Sequence, residues 1–300
     1  MATVGAVRAH PPPILRRVLL PLTLLALLLA EVLLPPERRA AAGEPPAAEL
    51  VPAVVGAYPP IGTLAVFLAH LQVPVDGLSI RAAEARSARL ATFAAGNAEA
   101  DRPFPAASMV KLFMAEDILH RARTGRLALR VDDPFLLQEM IRASDDPAAS
   151  TLWVRYGGGR MVTDVARRYR LSGTAPPAEA SQWGEATTTA HDLARFLSLL
   201  PTVAHPDDVV TLLGWMRTAT PLAADGFDQQ FGVFGTAPPL TAVKQGWMCC
   251  LGGKRHLHSV GVVGSRVVVL LSEVPRAIRY DEARAALTAA AAALPPPPAP

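Results

Sequence analysis

Phe104-Pro105-Ala106-Ala107-Ser108-Met109-Val110-Lys111 is the stretch on which the reading of this chain turns. Phe104-Pro105 interrupts the chain, and from Met109 to Ala122 the apolar residues Val110, Leu112, Phe113, Met114, Ile118 and Leu119 recur as in a buried helix. Ser108 then stands at the helix start, where free N–H groups and the helix dipole favour negative charge on its oxygen. Lys111, three positions on, falls on the same face. A serine hydroxyl is a weak nucleophile until a base takes its proton, and a desolvated lysine one turn away can do so. With 11 serines and 3 lysines in 300 residues, roughly 0.1 Ser-x-x-Lys matches are expected by chance.

Lysine usage sharpens the point. Of 29 lysines and arginines only Lys111, Lys244 and Lys254 are lysine. Arginine cannot give up its proton in a protein, whereas a buried lysine can. Two of the three lysines stand in short polar motifs: Lys111 in the one above, and Lys244 in Lys244-Gln245-Gly246-Trp247. A third motif, Ser144-Asp145-Asp146, lies between them.

Fifty-one per cent hydrophobic residues suffice for one large core. The net charge of +3 sits in residues 1–42, where five arginines face Glu31 and Glu37; the remainder carries 24 basic and 24 acidic residues. A neutral body excludes an electrostatic nucleic-acid surface. Residues 18–30 are uncharged and follow Arg16-Arg17, as in an export signal. Ala40-Ala41-Ala42 offers a cleavage site, and a retained anchor through residues 18–34 is the alternative. The chain is therefore expected outside the cytoplasm, secreted or held at the envelope. Cys249 and Cys250 are adjacent, and an internal bridge between neighbours is strained, so two buried thiols are expected there, with a vicinal or intermolecular disulfide as the alternative.

In chain order, residues 1–42 are the signal or anchor, 43–58 a Pro/Ala-rich linker, 59–294 the folded domain and 295–300 a Pro-rich tail. A helix is expected over residues 61–72, then strands over 78–83 and 89–93 as a hairpin. A block of helices follows the Ser108 helix, interrupted by a long loop at 171–187. Residues 241–248, 257–263 and 265–274 are expected as strands, the last a central one for its run Val267-Val268-Val269-Leu270-Leu271, and 281–294 as a closing helix. The fold class is α/β of the α+β kind: an antiparallel sheet built from both chain ends, flanked by N- and C-terminal helices, with an all-helical lobe inserted.

The three motifs, their order and this element order resemble the serine β-lactamase and penicillin-binding protein superfamily, closest to the class A β-lactamase-like branch, over roughly residues 59–294. The resemblance implies Ser108 as the acylated nucleophile, Lys111 as base or relay, and Ser144 as proton donor to the leaving nitrogen. It implies Lys244 and Gln245 as the substrate-carboxylate site, and the N–H groups of Ser108 and Trp247, past Gly246, as an oxyanion hole. It calls for no cofactor, and the expected substrate is a small β-lactam or a D-Ala-D-Ala-type cell-wall peptide. The alternative is a decayed domain that only binds a cell-wall or protein ligand.

Three departures qualify this. Asp146 and Gln245 replace the family's usual asparagine and threonine or serine; Asp146 is expected to hold Lys111 charged. Asn97 is the only asparagine, so the family's loop Glu-x-x-Leu-Asn is absent, and Glu179 and Glu185 are the only glutamates between Ser144 and Lys244 that could activate a deacylating water. His256 and His258 share a strand face, where substrate-side contacts are expected ahead of a metal. Of the four tryptophans, only Trp247 is expected in the site; Trp183 is assigned to the core.

Overall fold

The structure is a computed structural model that describes residues 45–72 and 93–296. The leader, residues 40–42, the hairpin except Phe93, and residues 297–300 lie outside the described part.

A five-stranded antiparallel sheet has the order β2-β1-β7-β6-β5, formed by β1 (Thr63–His70), β2 (Ala95–Gly96), β5 (Ala242–Leu251), β6 (Lys254–Val263) and β7 (Arg266–Pro275). A second, two-stranded pairing joins β3 (Phe104–Pro105) to β4 (Thr187–Thr188). The helices are α1 (Ala47–Ala57), α2 (Val110–Arg123), α3 (Asp133–Arg142), α4 (Asp146–Tyr156), α5 (Gly159–Tyr169), α6 (Ala190–Val203), α7 (Pro206–Arg217), the single turn α8 (Val233–Thr236) and α9 (Tyr280–Ala292).

Strand β7 shows why the apolar run is continuous. Val267, Val269 and Leu271 pack into the core under α2 and α6, while Val268, Leu270 and Val274 pack into a second core under α1 and α9. A strand covered on both faces cannot alternate polar with apolar. Helix α2 is enclosed as well: every residue from Val110 to Ile118 is buried, including Lys111, Glu116 and Asp117. The two carboxylates are closed by arginine, with Arg168 on Glu116 at 2.7 Å and on Asp117 at 3.1 Å, and the Tyr169 hydroxyl donates to Glu116 at 3.0 Å. Buried charges persist when paired in this way.

Two assignments near the N-terminus are corrected. Residues 61–72 hold strand β1, not a helix, because Thr-Leu-Ala-Val-Phe-Leu-Ala-His is an interior strand apolar on both faces, which periodicity cannot tell from a buried helix. The flanking helix lies earlier, at α1, inside the stretch read as a linker. Its Ala47, Leu50, Val51 and Val54 follow i, i+3, i+4, i+7 and bury against the sheet despite Pro52 in the interior. The expected order is helix, two strands, helical block, three strands and helix; the helical block, the three late strands and the closing helix are present, and the two early strands expected over 78–83 and 89–93 lie outside the described residues but for Phe93.

Cys249 and Cys250 are joined to each other as a disulfide across a cis peptide, near the end of β5, so the expected pair of buried free thiols is replaced by the bonded alternative. No helix among the described residues is long and apolar enough to cross a membrane.

Candidate active site

Ser108 lies in a 3-10 turn, Ala107–Met109, that continues into α2. The turn is held from several sides. The Ala106 N–H donates to Ala186 O at 2.6 Å, the Met109 N–H to Ala106 O at 2.9 Å, and β3 just upstream pairs with β4. Ala107 takes φ +46°, a left-handed conformation that a non-glycine residue adopts only when its surroundings impose it.

From behind, His258 Nε2 donates to Pro105 O at 2.8 Å. His258 is fully buried, and burial pushes its pKa down to about 3, so the ring stays neutral. His256 is buried too, at 2% exposure. The expected substrate-side role of these two histidines is therefore replaced, for His258, by support of the turn carrying Ser108. Among the described residues no cluster of three or more His, Cys, Asp or Glu side chains could hold a metal ion.

Ser144 links α3 to α4 at φ +52°, again left-handed. Asp145, not Ser144, caps α4 by accepting from the Ala148 N–H at 2.7 Å. The Ser144 hydroxyl is thereby free for other partners, and two lysines converge on it. Lys244 Nζ lies 2.8 Å and Lys111 Nζ 3.2 Å from Ser144 Oγ. Lys111 also donates to Ser144 O and to Asp146 Oδ1, each at 2.6 Å, which accounts for all three of its N–H bonds.

Both lysines are essentially unexposed, at 0% and 1%. Burial lowers the pKa of Lys111, and Asp146, which faces it at 2.6 Å as expected, is the strongest charge opposing that shift. Lys244 is lowered further, by burial and by the neighbouring Lys111. Two ammoniums against one hydroxyl repel, which favours release of a proton from the pair. Exchanging Asp146 for asparagine removes the opposing charge. If Lys111 accepts the Ser108 proton, acylation rises with pH as Lys111 deprotonates, and Asp146→Asn moves that rise towards acid. The gain at neutral pH is limited to about tenfold because a carboxylate 60% exposed is screened by water. A pH–rate profile with an unchanged rise would remove Asp146 from this electrostatic role.

Strand β5 is a sheet edge and passes the turn at Gly246. A Cβ there would lie 3.3 Å from both Ser108 N and Met109 Cε, so only glycine lets the strand backbone approach the Ser108 N–H without displacement. Gly246→Val is expected to cut acylation at least about a hundredfold, the scale of one lost oxyanion donor; unchanged acylation kinetics would show that the close approach is dispensable.

Gln245 behaves unlike the expected carboxylate ligand. It is 1% exposed, and its Nε2 donates to Gln229 O at 3.1 Å and Phe231 O at 2.5 Å, fastening β5 to the preceding turn. Lys244 is likewise directed at Ser144 Oγ and Gln245 O.

The open cleft, about 230 Å³, is lined by Ala107, Ser108, Asp146, Ser181, Gln182, Trp183, Gly184, Trp247 and Met248. The loop expected at 171–187 supplies four of these, and Trp183 stands 5.0 Å from Lys111 Nζ with its indole N–H on Ser150 Oγ at 3.2 Å. Trp183 therefore belongs to the cleft and not to the core; an indole in a Gly/Pro-punctuated loop without periodicity was the available signal. Trp247 stacks on Phe227 at 4.4 Å and donates to Asp225 at 3.2 Å. Glu179 is exposed and accepts from the Ser181 hydroxyl at 3.1 Å, Glu185 is half-buried in the turn after Trp183, and neither lines the cleft.

No family model matches the chain. Over 189 residues it is 36% identical to proteins of Mycobacterium tuberculosis and Mycobacterium bovis named "Putative lipoprotein LppW"; the match covers 61% of this chain, which spans 60% of the length of those relatives. Among solved structures, a β-lactamase from Sphaerobacter thermophilus is similar with a TM-score of 0.59 at 16% identity, covering 83% of this chain and 98% of that one. An ancestral class A β-lactamase of Gram-negative bacteria gives a TM-score of 0.58 at 17% identity, covering 82% and 97%. The five-stranded antiparallel sheet, the inserted helical lobe and the meeting of the three motifs in one cleft thus belong to a chain with the serine β-lactamase-like fold.

Proposed function

We propose that this protein is an exported, envelope-associated serine hydrolase or acyl-transferase that works through an acyl-enzyme on Ser108. The observation that carries the reading is the convergence of two buried lysines on Ser144 Oγ, at 2.8 and 3.2 Å, one of them, Lys111, three residues after Ser108. A binding site has no need of two deprotonatable cations around one hydroxyl; a proton relay does.

In this reading Ser108 Oγ attacks the acyl carbon and its proton passes to neutral Lys111. The N–H groups of Ser108 and Trp247 receive the carbonyl oxygen. Ser144 gives its proton to the leaving atom and is restored through the lysines. β-Lactams and D-Ala-D-Ala-type peptides are the first acyl donors to try, given the fold. Because neither Glu179 nor Glu185 lines the cleft, deacylation of a lactam adduct is slow.

Intact mass of the full chain, followed over time with a penicillin and with a D-Ala-D-Ala-type thioester, tests this. A long-lived adduct of acyl mass is expected, and its absence with every donor would leave the second reading. That reading, a decayed ligand-binding domain, draws on the saturation of the Lys111 donors by Ser144 and Asp146 and on the locked Gln245.

A further inference from the structure

We propose that the Ser108 cleft selects acyl donors whose leaving side is neutral or cationic and disfavours those carrying a carboxylate there. This rests on the acyl-transfer reading and narrows its substrate class: penicillins and D-Ala-D-Ala-type peptides, which carry that carboxylate, acylate more slowly than uncharged or cationic counterparts. The two side chains that would meet a carboxylate are committed elsewhere: the Gln245 amide to two backbone carbonyls behind the strand, and Lys244 to Ser144 Oγ and Gln245 O, at 1% exposure each. The only charged side chain among those lining the cleft is Asp146, whose carboxylate remains 60% exposed. Asp225 adds a second exposed carboxylate at the Trp247 indole. Trp183 and Trp247 also line the cleft, and indole faces attract cations and not anions. An anion entering here meets like charge, and the cations beneath it are desolvated and already hydrogen-bonded.

The test uses three thioesters of one acyl group that differ only in the leaving thiol: mercaptoacetate, mercaptoacetamide and thiocholine, whose quaternary nitrogen cannot itself capture the acyl group. In each, the Ser108 O–acyl bond forms as the C–S bond breaks; the Ser108 proton passes to Lys111, and Ser144 protonates the departing thiol. We expect kcat/KM for thiol release to rise from the mercaptoacetate to the thiocholine ester by about tenfold at low salt, and this ratio to shrink as salt is added and in Asp225→Asn. In parallel, tryptophan fluorescence of Ser108→Ala reads the affinity of the charge-matched stable amides of glycine, glycinamide and ethylenediamine.

A mercaptoacetate ester that reacts as fast as the others overturns the charge preference and leaves acyl transfer intact. Tighter binding of the ethylenediamine amide with no acylation of wild type by any thioester upholds the preference and removes the acyl-transfer reading. Equal binding of all three amides together with no acylation overturns both.

Discussion

Ser108→Ala is expected to abolish every covalent adduct while leaving the fold intact. The substitution removes one hydroxyl whose residue is 5% exposed and for which no fixed hydrogen bond is seen among the described residues, so the stability change should stay within about 1 kcal/mol. Ala107 and Met109 keep the turn in place, because its restraints run through Ala106, Ala186 and the β3–β4 pairing and not through the serine side chain. The effect on acylation is nevertheless total, since no other hydroxyl in the cleft stands at the start of α2 with a lysine one turn below. Ser181, on the facing loop, donates to Glu179 instead. An adduct that survives in Ser108→Ala, located by peptide mass mapping, would transfer the nucleophile to another side chain.

Lys111→Arg should be nearly as damaging, by about a hundredfold to ten-thousandfold in the acylation rate, the usual range for a lost general base. Arginine keeps the positive charge and could still pair with Asp146, but it does not release its proton at any accessible pH. Burial lowers the pKa of Lys111. The wild-type rate should therefore climb with pH below the ordinary lysine range, and that climb should vanish in the arginine variant. Because Lys111 is wholly enclosed, the larger side chain could also disturb packing; Lys111→Met, of similar volume and without charge, separates the two causes. It leaves Asp146 unpaired but mostly solvated. If either variant acylates at the wild-type rate, Lys111 is not the base, and Lys244, with its more strongly lowered pKa, becomes the alternative.

Much of the architecture was legible because its signals are local. The β7 run Val267–Leu271, rich in β-branched valine, reads as a strand covered on both faces, and the Ser-x-x-Lys spacing sets Ser108 and Lys111 one turn apart at a helix start. The N-terminal elements were harder. Thr63–His70 lacks alternation for the same reason as β7, yet its length suits a short helix as well, and the prolines around 45–60 hid the amphipathic face of α1. Which neighbour covers a segment decides between such readings, and a neighbour is a tertiary fact.

At the site, residue types pointed to chemistry more surely than to contacts. Ser108, Lys111, Ser144 and Lys244 were picked out from the sequence, and the fold draws the last three together from α2, the α3–α4 link and β5. Gln245 was expected to meet substrate and instead ties β5 to the 229–231 turn, because its longer arm reaches two carbonyls behind the strand. Trp183 was assigned to the core and lines the cleft, because the β3–β4 pairing draws its loop over Ser108.

The sequence alone determined the Ser108–Lys111 turn, the order of motifs and the central apolar strand, since each is written in residue types and local spacing. Only the tertiary structure decided that Asp146 still faces Lys111, that both lysines lose their water, and that the open cleft carries one carboxylate and two indoles but no cation among its described lining residues. Proton affinity and substrate charge depend on burial and on partners 33 to 100 positions apart in the chain, and no local pattern records those.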